Sequence, residues 1–410
     1  MVVTGTGVVS PIGVGRQAFW DALMQQRSGI SVREPFTELD SPLRLAGAIR
    51  QFDPRQHIKN RKALKVMCRE IQTGCAAANL AVAESQLDLT QVDPNRLGVI
   101  SGAETYFCNP ADLTDVYKRY LGQGEIDLGM WIEAAVRDVE PLWMLKYLPN
   151  MVSCQIGIAL DARGPNNTIV QGDASGLLAI MEAAELIRRG LADIMITGSS
   201  GAKMNLVSML YHGLAEMCRS VEDPAEASKP FDLHRRGLIA GEGAGMIVLE
   251  SLTHARRRGA NILAKIASVA STCCTAVSDM QSAIQRSITT AMQKSGFSHV
   301  DHAMAHAQGV PEDRVEAQAI HEALDSTPVT ALKSYYGNLG VGSGSLDLIA
   351  SVLSLQEGLV PVTLNYQHAD PACPVNVVHT EARQQQQHHS IILSQSTTGQ
   401  ATAILLSKDV

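Results

Sequence analysis

Hydrophobic positions along this chain alternate between short unbroken runs and longer stretches at helical spacing, as expected where strands and helices follow one another. The run Val2–Thr4 opens a strand that the pattern breaks at Gly5 and Gly7, and Gln17–Gln26 then reads as an amphipathic helix. Leu64, Val66, Met67, Ile71, Ala76, Leu80 and Val82 recur at helical spacing, which predicts one long buried helix over Arg61–Ser85 with Lys62, Lys65 and Arg69 in its early turns. Leu97–Ser101 predicts a buried strand. From Tyr106 to Asn150 the chain is rich in Leu, Tyr, Trp and Met without clean periodicity and reads as an insertion or interface element. Thr168–Val170, Leu177–Arg189 and Ile194–Thr197 then predict strand, helix and strand, a βαβ unit. A further strand follows Gly241–Gly245, and the alternation resumes from Ala264 through Ser295. The break near Ser251 divides the chain into residues 1–250, with an insertion at about 103–150, and residues 251–410. The polar run Arg383–His389 reads as a surface loop before a last strand, Ile391–Leu393.

With 45% hydrophobic and 18% charged residues, the 410-residue chain can bury a large core. Its 33 glycines fit many tight turns between alternating elements, so the class is α/β. A net charge of -7 gives no global attraction for nucleic acid or an anionic membrane, so an acidic partner must be met by a local basic patch. No apolar stretch reaches the ~18 residues of a membrane span and no export signal opens the chain, so a soluble, cytoplasmic protein is expected. Eight cysteines without CxxC spacing read as buried free thiols rather than metal ligands or disulfides, and the paired His388 and His389 read as solvated. Nothing in the sequence calls for a cofactor or a metal.

Five segments in order resemble those of β-ketoacyl-acyl-carrier-protein synthases. They are VVTGTGVVSPIGVGRQAFWDAL near the N-terminus, GPNNTIVQGDASGLLAIMEAAELIRRGLADIMITG, SKPFDLHRRGLIAGEGAGMIVLE, AHAQGVPEDRVEAQAI, and LKSYYGNLGVGSGSLDLIASVLSLQEGLVPVTLN. The resemblance implies the thiolase-like fold: two βαβαβ-containing halves in α-β-α-β-α layers, dimerising through a strand near Thr168–Val170.

That family takes an acyl chain from its carrier protein on a cysteine at a helix N-terminus, where the dipole lowers the thiol pKa, and uses two histidines on the enolate of the malonyl group. The position of the cysteine is Asp173 here, in Asp173-Ala174-Ser175-Gly176. A carboxylate that attacked a thioester would form a mixed anhydride, too reactive to store an acyl group. Asp173 is therefore expected to cap the following helix, worth about 1 kcal/mol. His306 and Glu316 match the first histidine motif. In the second, Lys333 is kept and Asn338 stands where histidine belongs. Asn338 can donate to an oxyanion but cannot shuttle a proton. The glycine-rich gating loop is replaced by Ser394–Thr398.

Three readings follow. The first is a non-elongating partner subunit resembling chain-length factors, in a heterodimer with an active ketosynthase. The second is a malonyl-carrier-protein decarboxylase that uses His306 and Asn338. The third is an atypical 3-oxoacyl-carrier-protein synthase that condenses through an unrecognised nucleophile, and homodimer or heterodimer stays open. Acyl carrier protein, where bound, is expected to dock on Lys59, Arg61, Lys62, Lys65 and Arg69, the alternative being an ordinary solvated helix end.

Overall fold

A computed structural model of the chain describes residues 1–34, 41, 43–121, 128–219 and 221–409. The first strand does not break at its glycines: β1 runs Val2–Ser10, buried throughout. Glycine is required there because helix α2 lies directly on the strand. A Cβ on Gly7 would stand 1.9 Å from the Ala77 carbonyl oxygen, and one on Gly5 would stand 2.2 Å from that of Ala81. The helix α1 spans Arg16–Met24 and α2 spans Arg69–Glu84.

The predicted long helix is shorter than its pattern. Ala63–Val66 form a 3₁₀ turn and the backbone is extended at Met67 and Cys68 before α2 begins. The apolar spacing survives the break because turn and helix lay their hydrophobic residues on the same core. Arg69 is turned inward, its Nε 2.8 Å from Glu242 Oε2, while Lys59, Arg61, Lys62 and Lys65 remain exposed.

The other main elements are β2 (Leu97–Gly102), α3 (Thr114–Leu121), α4 (Leu128–Asp138), α5 (Met151–Leu160), β3 (Asn166–Ile169), α6 (Ser175–Arg188), β4 (Ile194–Ala202) and β5 (Ala240–Glu250). They are followed by β6 (Ala264–Cys273), α7 (Met280–Ser295), β7 (His302–Met304), α8 (Asp313–Leu324), β8 (Pro328–Thr330), α9 (Gly342–Glu357), β9 (Asn376–Val377), β10 (His389–Gln395) and β11 (Gln400–Ser407). The stretch 106–150 is thus not irregular throughout, since it holds α3 and α4; residues 122–127 lie outside the described residues. Likewise Arg383–Gln384 is a short strand on Leu359–Val360 rather than open loop. His389 stacks on Phe297 with ring centroids 3.7 Å apart, and β11 follows as the last strand. Among the thiols, Cys75, Cys218, Cys274 and Cys373 are buried, but Cys273 is exposed at the end of β6.

Strand order is β9-β8-β7-β10-β11-β6-β1-β5-β4-β2-β3. β1 and β6 share only the pairs Val2 with Lys265 and Val3 with Ala264, so the sheet is two blocks joined at a narrow seam. Each block repeats one pattern. β1-β5-β4 and β6-β11-β10 are antiparallel, and β4-β2-β3 and β10-β7-β8 are parallel. Helices α6 and α9 lie between the blocks, in the central core. The helices α2 and α5 cover the outer face of one block, α7 and α8 that of the other. This is the five-layered thiolase-like arrangement. Among the described residues, no helix is long and apolar enough to cross a membrane.

Candidate active site

The site forms where the starts of α6 and α9 meet between the two blocks. After β3 the chain reaches Gly172, whose φ of +59° makes the sharp turn that delivers Asp173 and then α6. Ser175 fixes that elbow. Its hydroxyl donates to the Gly172 carbonyl at 2.6 Å and accepts from the Gln171 amide at 2.7 Å.

Asp173 does not cap α6; the cap residue is Ala174, with no side-chain bond. The carboxylate instead turns to stronger partners. Lys203, just beyond β4, donates to Oδ1 at 2.9 Å, and Asn338 Nδ2 donates to Oδ2 at 3.0 Å. Both members of the ion pair are mostly buried, each side chain 12% exposed. A cation in a low-dielectric site outweighs the ~1 kcal/mol of a neutral cap. Burial alone would raise the Asp173 pKa, but the Lys203 charge and the bonds from Lys203 and Asn338 hold it well below the usual carboxylate range. Asp173 is ionised.

His306 follows β7 and is 5% exposed. Lys333, fully buried at the start of the short helix Lys333–Tyr336, donates to the His306 carbonyl and approaches His306 Nδ1 at 3.1 Å. A lysine offers donors only, so Nδ1 accepts and the ring proton sits on Nε2. That nitrogen faces Asp173 Oδ2 at 3.9 Å. Burial, then the nearby Lys333 charge, pushes the His306 pKa well down, so the ring is neutral. Glu316 on α8 accepts the His306 amide at 2.7 Å and the Ala307 amide at 2.8 Å, which makes it a brace for the histidine loop. Burial raises its pKa to about 7 against those two bonds and Lys333.

Asn338 is locked by its backbone, its amide donating to Ile239 O at 2.7 Å and its carbonyl accepting from Gly241 at 2.8 Å. Both of its side-chain N–H donors are taken. Nδ2 also donates to Gln308 Oε1, and Oδ1 accepts the Gly340 amide at 2.6 Å. The Ser394–Thr398 segment is the end of β10 and its tight turn into β11. Ser396 and Thr398 share a hydroxyl bond, and Ser394 Oγ donates to the Asp173 carbonyl at 3.0 Å.

Asp173, His306, Lys333, Asn338 and Glu316 therefore converge on one centre. Sequence reasoning missed Lys203, Gln308 and Glu104. Glu104 follows β2 beside Lys203, and burial pushes its pKa up to about 7 against the pull of that lysine. Gln308 was legible, two residues after His306. Lys203 was marked only by the polar end of a strand whose apolar run stops earlier. Chemically, the Asp173 carboxylate is an internal anion that occupies the lysine and amide donors at the elbow. Among the described residues, no group of three or more His, Cys, Asp or Glu side chains is arranged to hold a metal.

With this geometry in hand, the whole chain compares as follows. Residues 1–255 match the model of the family "Beta-ketoacyl synthase, N-terminal domain" and residues 263–367 that of "Beta-ketoacyl synthase, C-terminal domain". A putative polyketide beta-ketoacyl synthase 1 of Streptomyces halstedii is 30% identical, covering 99% of this chain and 97% of that one. The 3-oxoacyl-[acyl-carrier-protein] synthase 2 of Synechocystis sp. is 32% identical over 93% and 92%. Among solved structures, the ishigamide ketosynthase/chain length factor is 26% identical over 99% and 98%, with a TM-score of 0.85. A type II polyketide acyl carrier protein in complex with its ketosynthase bound to the hexaketide gives 26%, 99% and 98%, and a TM-score of 0.83.

Proposed function

The chain belongs to the β-ketoacyl synthase family of polyketide and fatty-acid type, and from that premise we propose that it is a non-elongating subunit that pairs with an active ketosynthase. The observation that carries this reading is the Asp173 carboxylate held by Lys203 and Asn338. A thiol is missing from the elbow, and the donors an external oxyanion would need are bound to an internal one. The same anion argues against a malonyl-carrier-protein decarboxylase and against an atypical synthase, because a developing enolate beside ionised Asp173 would be repelled.

Pairing is supported by the open edge strand β3, with Asn166 and Asn167 exposed. Ile158, on the helix α5 that packs against this strand, is 72% exposed. On this reading residues 1–250 and 251–410 are two fused halves, 103–150 is an insertion at the pairing face, and the protein acts in the cytoplasm beside acyl carrier protein. The polyketide relatives and the solved ketosynthase/chain length factor make a heterodimer the favoured assembly over a homodimer.

Two measurements test the proposal together. Incubated with acyl-loaded carrier protein, the chain should carry no acyl adduct by intact-protein mass spectrometry. Co-expressed with a cysteine-bearing ketosynthase from the same gene neighbourhood, it should co-purify at one to one stoichiometry. A stoichiometric adduct on any cysteine, or a homodimer that decarboxylates malonyl carrier protein, would overturn the reading.

A further inference from the structure

On the face built by the turn after β1 there is a cavity of about 550 Å³ whose lining includes none of Asp173, His306 or Asn338. Its volume falls in the range of small-molecule sites. The walls are the Ser10–Val14 turn and the hairpin of Ile30–Val32 on Leu45–Gly47 with the residues that flank it. Two arginines, Arg27 and Arg50, both exposed, are among its lining residues, and no aspartate or glutamate is. Each arginine makes one long bond to a backbone carbonyl, Arg27 to Ile12 at 3.4 Å and Arg50 to Val32 at 3.5 Å. Neither has a carboxylate partner among the described residues. Each guanidinium carries five donors in a planar fork, so most remain available to a ligand.

The lining also includes Pro11 and the mostly buried Ile12 and Ile49 as apolar residues, and Ser28 and Ser31 as hydroxyl-bearing ones. The cavity is also tied to the candidate site, because the Gly29 amide donates to the Tyr335 carbonyl at 2.8 Å, in the short helix that begins at Lys333.

We propose that this cavity binds a small organic phosphate, with the phosphoryl group between Arg27 and Arg50 and an apolar moiety against Pro11, Ile12 and Ile49. A planar fork matches phosphate oxygens two at a time, which is why arginine rather than lysine suits such a site. The proposal does not depend on the non-elongating reading of the elbow.

The test is a titration of the full chain, labelled at its isoleucine methyls, with phenyl phosphate, inorganic phosphate and phenol, followed by NMR. Phenyl phosphate should shift the Ile12, Ile30 and Ile49 methyls saturably, inorganic phosphate should bind more weakly, and phenol should leave them unmoved. Arg27→Gln and Arg50→Gln should each weaken phenyl phosphate at least about tenfold, because each removes charge-assisted bonds. Arg50→Lys should lose less than Arg50→Gln, and the buried isoleucine signals of the two sheet blocks report that every variant is folded. Absence of any shift at millimolar phenyl phosphate, affinity unchanged in the double glutamine variant, or phenol binding as tightly as phenyl phosphate would each overturn the assignment.

Discussion

Replacing Lys203 by methionine isolates what the elbow ion pair contributes. The substitution keeps the length of the side chain and removes the charge, leaving Asp173 mostly buried with Asn338 as its remaining strong donor. Breaking a buried pair from one side costs about 3–5 kcal/mol, because the surviving charge keeps its desolvation penalty. For 410 residues the entropy of unfolding makes 1 kcal/mol worth about 1 °C, so the midpoint should fall by about 3–6 °C near neutral pH. The pH dependence is diagnostic. In the native protein the Asp173 pKa is depressed, so its contribution is present above the unfolded value near 4 and is lost only as pH falls through the lower folded value. Without Lys203, burial dominates and the folded pKa rises above the unfolded one. Stability is then lost as pH rises from about 4 toward the new folded value, about 1.4 kcal/mol for each unit of separation. Glu104, raised to about 7 while Lys203 still pulls it down, should rise further and add to the effect. Urea unfolding at pH 5 and pH 8 reads both, and Lys203→Met should lose far more at pH 8. Adding Asp173→Asn should recover at least half of that loss. Equal losses at the two pH values, or no recovery in the double variant, would refute the claim that an ionised Asp173 is held by Lys203.

Asp173→Cys should acquire an acyl group from loaded carrier protein, with Lys203 favouring the thiolate, yet should not elongate it; adding Asn338→His should raise elongation about 10²-fold or more, read by mass spectrometry and product chromatography. Elongation by Asp173→Cys alone at an ordinary synthase rate would contradict the role assigned to Asn338. Glu316→Gln should cost about 1–3 kcal/mol through one lost backbone bond. It should also flatten the pH profile: with a folded pKa near 7 against 4.5 unfolded, Glu316 stabilises below about 4.5 and that stability is lost as pH rises to about 7. Charge reversal at Lys62 and Lys65 should weaken carrier-protein binding without changing the melting temperature, whereas Arg69→Glu should destabilise the fold because Arg69 is bound to Glu242.

The α/β alternation was legible because strands buried on both faces read as unbroken apolar runs, and the elbow, His306 and Lys333 were legible because each sits in a recognisable string. What escaped was decided by distant parts of the chain. Gly5 and Gly7 look like strand breakers, and only the helix lying against them shows that they permit a close approach. The strand β4 was cut short at Thr197 because Gly198, Ser199, Ser200 and Gly201 carry no apolar signal. Extending it to Ala202 would have put Lys203 at the strand's C-terminal end, where ligands and catalytic groups gather in such sheets. The cap expected of Asp173 failed for the same reason. A local rule compared the carboxylate with nearby amides, while the fold offered it a cation thirty residues away.

Asn338 explains why the elbow and the second histidine motif depart from their family pattern together. Once a carboxylate stands at 173, the residue at 338 faces two acceptors, Asp173 Oδ2 and Gln308 Oε1, and must also accept the Gly340 amide. A primary amide has two donor hydrogens and an oxygen, which meets all three demands. A neutral imidazole has a single donor, so histidine could not donate to both Asp173 and Gln308 as the Asn338 amide does. A protonated imidazole would add a third cation to a space that already holds Lys203 and Lys333. Asn338 is therefore the residue that an anionic elbow selects, and the anion together with its amide makes a closed network where an open oxyanion site would otherwise lie. The retained pieces fit the same logic. Lys333 and Glu316 bind the backbone around His306 more than they face any substrate, so the fold needs them whether or not the site turns over.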